Sequence, residues 1–213
     1  IVAQIEQTTP LSLFARPGVA SIDDLAGSTL SVDAFDNGFS VVLRQLVQSR
    51  AIRNVSYAET GGVQERFAAL VAGEVDATLL GPPFDQLADE QGLSLLGRVD
   101  GMFPDFPGQG IVVRRSRLEE LRAPLTRLFS ALQSAISWSN SADDAEGERL
   151  LATAGFGGAA AASAWANRPR DLWPSSAGMA LLIEMRRQLG ILPEGTSVDD
   201  LWSDELLVAS AMR

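Results

Sequence analysis

The stretch TGGVQERFAALVAGEVDATLLGPPF, residues 60–84, joins a helix signal directly to a strand signal. Its apolar residues recur at i, i+4, i+7 and i+8, the spacing of one buried helix face: Val63, Phe67, Leu70 and Val71. The residues predicted to face water are Gln64, Glu65 and Arg66. Gly73 occupies the position of a C-cap glycine, and Val75–Leu80 has the length and composition of a buried strand. The stretch therefore predicts a helix packed against a sheet.

Strand and helix signals alternate on both sides of this stretch. Strands are predicted at Leu11–Ala15, Thr29–Val32, Asn54–Ala58, Leu93–Val99 and Gly110–Arg114. The helix after Ser40 is predicted to bury Val42, Leu43, Leu46 and Val47. Alternation of strands with helices of about ten residues is typical of a parallel or mostly parallel sheet.

From Leu118 onward the sequence is predicted to be helical. One long apolar stripe, with a bend expected at Pro124, consists of Leu118, Leu121, Leu125, Leu128, Phe129, Leu132 and Ile136. Shorter helices are predicted at Glu148–Ala154, Ala159–Ala166 and Ser176–Leu189, before a final docking segment at Val198–Leu207. The chain is thus expected to combine a sheet-containing part with a helix-rich part.

Length and composition limit the possible classes of protein. A chain of 213 residues can bury one core or two small lobes. It has 46% apolar residues but no uninterrupted apolar run long enough to span a bilayer. The N-terminus lacks the pattern of a signal peptide, so we expect any export signal to have been removed or to lie outside this sequence.

The charged and metal-binding residues exclude several functions. The net charge is −10 and all 17 basic residues are arginine, so the chain would repel phosphate backbones and we predict no nucleic-acid partner. The sequence has no Cys and no His, which excludes thiolate and Ser-His-Asp chemistry and leaves only carboxylates as metal ligands. We predict neither a metal site nor a cofactor.

Two passages carry a resemblance to a known family. The first has the pattern R-x-x-A-L-x-x-G-x-V-D-A over residues 66–77, followed by Pro82 and Pro83. The second is SIDDLAG at residues 21–27, followed by the strand at residues 28–32. Both resemble periplasmic solute-binding proteins of ABC importers, in the group that serves nitrate, sulfonate, taurine and thiamine-pyrimidine uptake. The likeness covers roughly residues 11–115 and is only general afterwards.

The resemblance implies an α/β type II periplasmic-binding fold with two lobes joined by hinge strands. Residues 17–110 would form a parallel-rich sheet lobe, and residues 1–16 with 111–213 would form the rest of lobe one and the C-terminal helices. The hinge strands would be Leu11–Ala15 and Gly110–Arg114. The family usually has about two βα units before the first hinge, and we expect this sequence to lack them. Three explanations stay open: the chain is a fragment, lobe one is reduced, or the numbering begins at the ordered part.

Three strand-to-helix loops are the candidate ligand site: 33–40, 59–62 and 81–85. In an open α/β sheet, ligands bind beyond the carboxyl ends of the strands, where helix N-termini direct backbone N–H groups into the crevice. The predicted ligand-binding residues are Asp33, Phe35, Asn37, Gly38, Phe39, Ser40, Glu59, Thr60, Gly61, Gly62, Pro82, Pro83 and Phe84.

The charges within these loops favour a neutral or cationic ligand with an aromatic or heterocyclic body. The loops contain no Arg or Lys, whereas acidic residues lie in or near them: Asp33, Asp36, Glu59, Asp85 and Asp105. A carboxylate about 4 Å from an anion costs about 1–4 kcal/mol, which offsets what a helix terminus supplies. Two structural alternatives remain: the carboxylates cap helices, and Phe35 and Phe39 are core or staple residues.

The sequence thus predicts an extracytoplasmic solute-binding protein that is not an enzyme. It would act as a monomer, periplasmic or extracellular and associated with the membrane, and would deliver a small molecule to an ABC permease. One alternative is an enzyme on the same fold, of the thiamine-pyrimidine or menaquinone-pathway type, with Asp33 and Glu59 as an acid–base pair. The other is a ligand-sensing regulatory domain, which rests on fold analogy alone.

Overall fold

A computed structural model describes residues 1–197, 199 and 201–211. The strands are β1 Ala3–Gln4, β2 Ser12–Ala15, β3 Thr29–Val32, β4 Ser56–Glu59, β5 Ala77–Leu80, β6 Ser94–Arg98 and β7 Gly110–Ile111. The helices are α1 Gly38–Ser49, α2 Val63–Val71, α3 Phe84–Glu90, α4 Val99–Met102, α5 Leu118–Ser141, α6 Asp144–Thr153, α7 Gly158–Ala166, α8 Ser176–Gln188 and α9 Glu205–Ala211. Val198, where the predicted docking segment starts, lies outside the described residues.

The chain divides into two compact units. The sheet unit comprises residues 10–106 and 182–194, and the helical unit comprises residues 1–9, 107–181 and 195–213. The predicted hinge strand Leu11–Ala15 lies wholly within the sheet unit, and Gly110–Arg114 lies wholly within the helical unit. The predicted lobe boundaries and hinge motion stay predictions.

The sheet unit contains five strands in the order β4-β3-β5-β2-β6. Strands β4 and β5 both pair in parallel with β3, whereas β2 is antiparallel to its neighbours β5 and β6. Four strands therefore point the same way and β2 alone runs against them. The prediction of an α/β fold with a parallel-rich sheet is confirmed.

Helix α1 follows the sequence prediction closely. All four residues of its predicted apolar face are buried: Val42, Leu43, Leu46 and Val47. The apolar spacing alone identifies this face because every position on it carries an aliphatic side chain.

Helix α2 departs from the sequence prediction in two positions. Arg66, predicted to face water, is only 3% exposed, while Val71, predicted to be buried, is 47% exposed. Arg66 lies three residues after Val63 and four before Leu70, so it belongs to the same helix face as the apolar stripe. Val71 lies at the C-terminal end of α2, where its side chain faces solvent. The buried face of α2 therefore includes Arg66 and excludes Val71.

A carboxylate joins the start of β3 to the segment before β5. Asp76 accepts hydrogen bonds from the Thr29 backbone N–H at 2.7 Å and from the Arg16 guanidinium at 2.6 Å. The Thr29 N–H, more than Arg16, holds the pKa of Asp76 below its ordinary value. Asp76 therefore has the structural role that its place next to a buried strand suggests.

The helical unit is organised around α5 and α9. Phe129 and Ile136 of α5 pack with Leu206 and Leu207 of α9 in one apolar cluster. Leu128 was predicted to belong to the buried stripe of α5, but it is 44% exposed, because it sits next to Phe129 in the sequence and so points to a different side of the helix. In the described parts of the chain, no helix has both the length and the apolar character needed to cross a membrane.

Helices α6 and α7 pack at very close range. The indole of Trp165 lies against Gly147, where any Cβ would overlap the ring. The indole N–H of Trp165 donates a hydrogen bond to Asp144 at 2.9 Å, and the Arg168 guanidinium lies 4.0 Å from the centre of the ring. Trp165 therefore acts as a packing residue within the helical unit.

Candidate functional site

The first two predicted loops lie side by side at one edge of the sheet. Because β3 and β4 are parallel neighbours, their carboxyl ends meet at that edge. Thr60 N–H donates to the Val32 carbonyl at 3.0 Å, and Phe35 N–H donates to the Glu59 carboxylate at 2.8 Å. Glu59 therefore ties loop 33–40 to loop 59–62 and does not cap a helix.

Loop 33–40 is shaped by its polar side chains. The Asn37 side-chain carbonyl accepts a hydrogen bond from Ser40 N–H at 2.9 Å and caps α1. The Ser40 hydroxyl donates to the Ala34 carbonyl within the loop. The alternative in which Asp33 or Asp36 caps this helix is therefore wrong, because the neutral Asn37 occupies that role.

Arg66 reaches the same edge from inside α2. Its guanidinium donates to the Gly61 carbonyl at 3.1 Å and to the Leu79 carbonyl at 3.2 Å, and lies 3.8 Å from the Asp33 carboxylate. Burial lowers the pKa of Arg66, and the Asp33 carboxylate opposes that shift. One buried cation thus contacts loop 33–40, loop 59–62 and the end of β5.

A small cavity lies where these groups meet. Its lining residues are Ser31, Val32, Asp33, Phe39, Ser40, Leu43, Arg66 and Leu79. The cavity volume open to the centre of a water-sized sphere is about 10 Å³, which corresponds to about one small polar group. The cavity is therefore large enough for a single small group and too small for a whole organic solute.

Phe35 and Phe39 differ in their surroundings. Phe35 is 41% exposed and meets Tyr57 edge-on, with ring centres 6.3 Å apart. Phe39 is half-buried and lines the cavity beside Asp33. Phe35 offers an exposed aromatic face next to the loops, whereas Phe39 forms part of the cavity wall.

The third predicted loop is positioned differently. Pro82 and Pro83 are exposed and joined by a cis peptide bond. The ring of Phe84 packs on Phe67 of α2 at 5.5 Å between ring centres, within an apolar cluster of the sheet unit. These three residues do not line the cavity described above. The predicted residues of loop 59–62 do not line it either, so of the three predicted loops loop 33–40 alone contributes to its wall. Loop 59–62 is connected to the cavity through the hydrogen bond from Arg66 to the Gly61 carbonyl.

The charge near the loops is more balanced than the sequence predicted. Besides Arg66, the Arg44 guanidinium donates to the Phe35 carbonyl at 3.2 Å, and Arg186 donates to the Asp36 carbonyl at 2.9 Å. The prediction of a neutral or cationic ligand counted only residues inside the loops. The count is correct for the loops themselves, but α1, α2 and α8 bring three arginines to loop 33–40, so the predicted ligand charge stays a prediction.

The described residues contain no group of three or more Asp, Glu, His or Cys side chains able to hold a metal ion. The carboxylates near the loops are instead engaged one by one. Asp33 pairs with Arg66 and Glu59 accepts from Phe35 N–H.

The fold is similar to that of several solved structures, among them solute-binding proteins. A protein from Bordetella bronchiseptica is 16% identical with a TM-score of 0.76, and the alignment covers 99% of this chain and 73% of that one. The ligand-binding component of an ABC-type import system from Staphylococcus aureus, solved with zinc bound, is 17% identical with a TM-score of 0.76, covering 96% and 72%. The periplasmic aliphatic sulphonate-binding protein SsuA from Escherichia coli is 16% identical with a TM-score of 0.66, covering 96% and 69%.

The same fold is also found in an enzyme. The desulfurization enzyme DSZB is 15% identical with a TM-score of 0.62, and the alignment covers 100% of this chain and 78% of that one. No protein-family model and no curated protein sequence matches the chain. The chain therefore has the type II periplasmic-binding fold, as its two sequence motifs implied, and at these identities the likeness defines the fold alone.

Proposed function

We propose that the chain is an extracytoplasmic solute-binding protein of an ABC importer. Two observations support this role. The fold is that of ABC-type solute-binding proteins, and a small cavity at the carboxyl end of β3 is lined by residues of loop 33–40 together with Arg66, which also contacts loop 59–62 through the Gly61 carbonyl. In an open α/β sheet, this edge is where ligands bind. The membrane partner would be the permease of the importer, and the protein would act as a monomer.

The proposed ligand is a small uncharged organic solute with an aromatic or heterocyclic body. The Asp33 carboxylate is paired with Arg66, and the guanidinium groups of Arg44 and Arg186 contact backbone carbonyls of loop 33–40, so acidic and basic groups both lie beside the loops. The exposed ring of Phe35 supplies a surface against which a flat ligand can stack. The cationic part of the sequence-based prediction loses its basis because these arginines oppose a cation.

A ligand screen on the full chain tests this proposal. Thermal unfolding would be followed with uncharged pyrimidines, amines, sulfonates and nitrate, and any stabilising compound would be confirmed by calorimetric titration. A ligand at 100 times its Kd stabilises the folded state by about 2.7 kcal/mol. Absence of stabilisation by every class, in a sample shown to be folded, would count against the proposal.

A matched pair of variants tests whether the ligand binds beside loop 33–40. Phe35→Ala removes the exposed ring beside the loops, whereas Phe156→Ala removes a similarly exposed ring in the helical unit. We expect Phe35→Ala to weaken binding and Phe156→Ala to leave it unchanged. Equal affinities for both variants would argue against loop 33–40 as the site.

An enzyme on this fold is the second candidate, because DSZB has the same fold. Asp33 and Glu59 lie on adjacent loops and would be the acid–base pair. Each stabilising solute would be incubated with the protein and recovered for mass spectrometry. Recovery of unchanged solute supports binding, while a product lost in Asp33→Asn would support catalysis.

A further inference from the structure

The Asp33–Arg66 pair presents two complementary groups at one small cavity. The Asp33 carboxylate and the Arg66 guanidinium are 3.8 Å apart, and both residues line the cavity. An ionised carboxylate only accepts hydrogen bonds and a guanidinium only donates them. A ligand group that contacts both residues must therefore donate to one and accept from the other.

The pair is open to a ligand from one side. The Arg66 side chain is 4% exposed, whereas that of Asp33 is 26% exposed. Two donors of Arg66 are held by the carbonyls of Gly61 and Leu79, which fixes the guanidinium in place. A ligand would approach along Asp33 and reach a cation that is already oriented.

The serine hydroxyls of the cavity are engaged with the protein. Ser31 forms a hydrogen bond with the Thr60 hydroxyl, and Ser40 donates to the Ala34 carbonyl. The two charged residues are therefore the main recognition groups, and the small volume admits a group of about the size of a water molecule.

A hydroxyl group satisfies these conditions. It has one donor and two acceptor positions, so it can donate to Asp33 and accept from Arg66 at the same time. A sulfonate or carboxylate would accept from Arg66 but be repelled by Asp33. An ammonium group would donate to Asp33 but be repelled by Arg66.

We propose that the Asp33–Arg66 pair selects a solute that inserts a hydroxyl group into this cavity, an inference that rests on the proposed solute-binding function. The pair deepens that function by defining the ligand as a hydroxyl-bearing neutral compound. It also makes Asp33 and Arg66 the residues that discriminate against charged analogues through repulsion.

Four probes with the same aromatic body test this selection: benzyl alcohol, benzyl methyl ether, benzylamine and phenylmethanesulfonate. NMR titration of the full chain measures the millimolar affinities expected for compounds of this size. Wild type is expected to bind the alcohol at least about tenfold more tightly than the amine or the sulfonate. The ether, which accepts but does not donate, is also expected to bind more weakly than the alcohol.

Single substitutions are expected to change the preference in opposite directions. Asp33→Asn removes the repulsion of anions and should raise the sulfonate-to-alcohol affinity ratio by at least about tenfold. Arg66→Gln should raise the amine-to-alcohol ratio in the same way. Asp85→Asn, in the third loop, is the control and should leave all ratios unchanged. Because Arg66 is buried, Asp33→Asn decides the result if the Arg66 variant does not fold.

Three outcomes would overturn the inference. They are tighter binding of the sulfonate than of the alcohol by wild type, unchanged ratios in folded Asp33→Asn, and binding of none of the probes by wild type. The wider solute screen would still decide the proposed function in each case. A solute found there that binds equally well to wild type and Asp33→Asn would support solute binding while refuting this role of the pair.

Discussion

Replacement of Arg66 by methionine is expected to destabilise the sheet unit strongly. Methionine fills much of the same space but removes the hydrogen bonds to Gly61 and Leu79 and the ion pair with Asp33. Each hydrogen bond to a charged group contributes about 1.5–3 kcal/mol. The loss of one partner from a buried charge pair costs about 3–5 kcal/mol in all, and we expect the free energy of unfolding to fall by that amount.

Hydrogen exchange measured by mass spectrometry reports the stability of each unit separately. All four tryptophans belong to the helical unit, so their fluorescence does not report directly on α2 or β5. Peptides from α2 and β5 should exchange faster in the methionine variant, with α5 as the internal reference. Arg66→Lys keeps the charge but loses the planar donor fork, so its effect should be smaller.

Arg53→Met is the matched control for this measurement. Arg53 is an exposed arginine of the same unit, and its replacement should change stability by no more than about 0.5 kcal/mol. If Arg66→Met lowered the stability of the sheet unit by less than about 1 kcal/mol, the guanidinium would not be holding the loops together as described.

Three further substitutions test other parts of the structure. Asp76→Asn should lower the free energy of unfolding by about 1–3 kcal/mol at pH 7. The Thr29 N–H lowers the pKa of Asp76, so the stabilisation by the Asp76 carboxylate is present above the ordinary carboxyl range and is lost as pH falls through the folded-state pKa. Urea unfolding should therefore show a smaller stability difference between wild type and variant at pH 3 than at pH 7. Gly147→Ala should shift the fluorescence of Trp165 and lower the melting temperature, because the new methyl group overlaps the indole, and an unchanged spectrum would contradict the packing described. Asn37→Ala should lower the free energy of unfolding by about 1 kcal/mol because α1 loses its N-cap, whereas Asn37→Asp keeps a side-chain acceptor and should not. An equal loss of stability in both variants, measured by thermal unfolding, would show that the cap is unimportant.

The fold could be predicted from the sequence because its signals are local. The apolar spacing of α1 and α2, the turn residues between elements and the alternation of strands with helices are all read within short windows. The direction of β2 was not predicted. Its pairing with β5 and β6 joins residues that lie from 62 positions apart (Ala15 and Ala77) to 86 positions apart (Ser12 and Arg98). Nothing in the local pattern of SLFA specifies whether its neighbours run parallel or antiparallel.

The burial of Arg66 is indicated by its spacing in the sequence, although its charge suggests the opposite. Its spacing from Val63 and Leu70 places it on the apolar face of α2, but a charged residue is normally assigned to the solvent side. Arginine can occupy such a position when its donors are satisfied, and here two carbonyls and a carboxylate satisfy them. Spacing was therefore a better guide than polarity at this residue.

The net charge around the candidate site cannot be derived from the loop sequences alone. A count restricted to loop residues finds only carboxylates, because the arginines that approach loop 33–40 lie on α1, α2 and α8. Electrostatic interaction depends on distance in space, and a helix can direct a side chain toward a loop more than a hundred positions away, as Arg186 does toward Asp36. Loop composition alone therefore favours a neutral or cationic ligand. Once the three guanidinium groups are included, the proposed ligand is an uncharged solute that both donates and accepts hydrogen bonds.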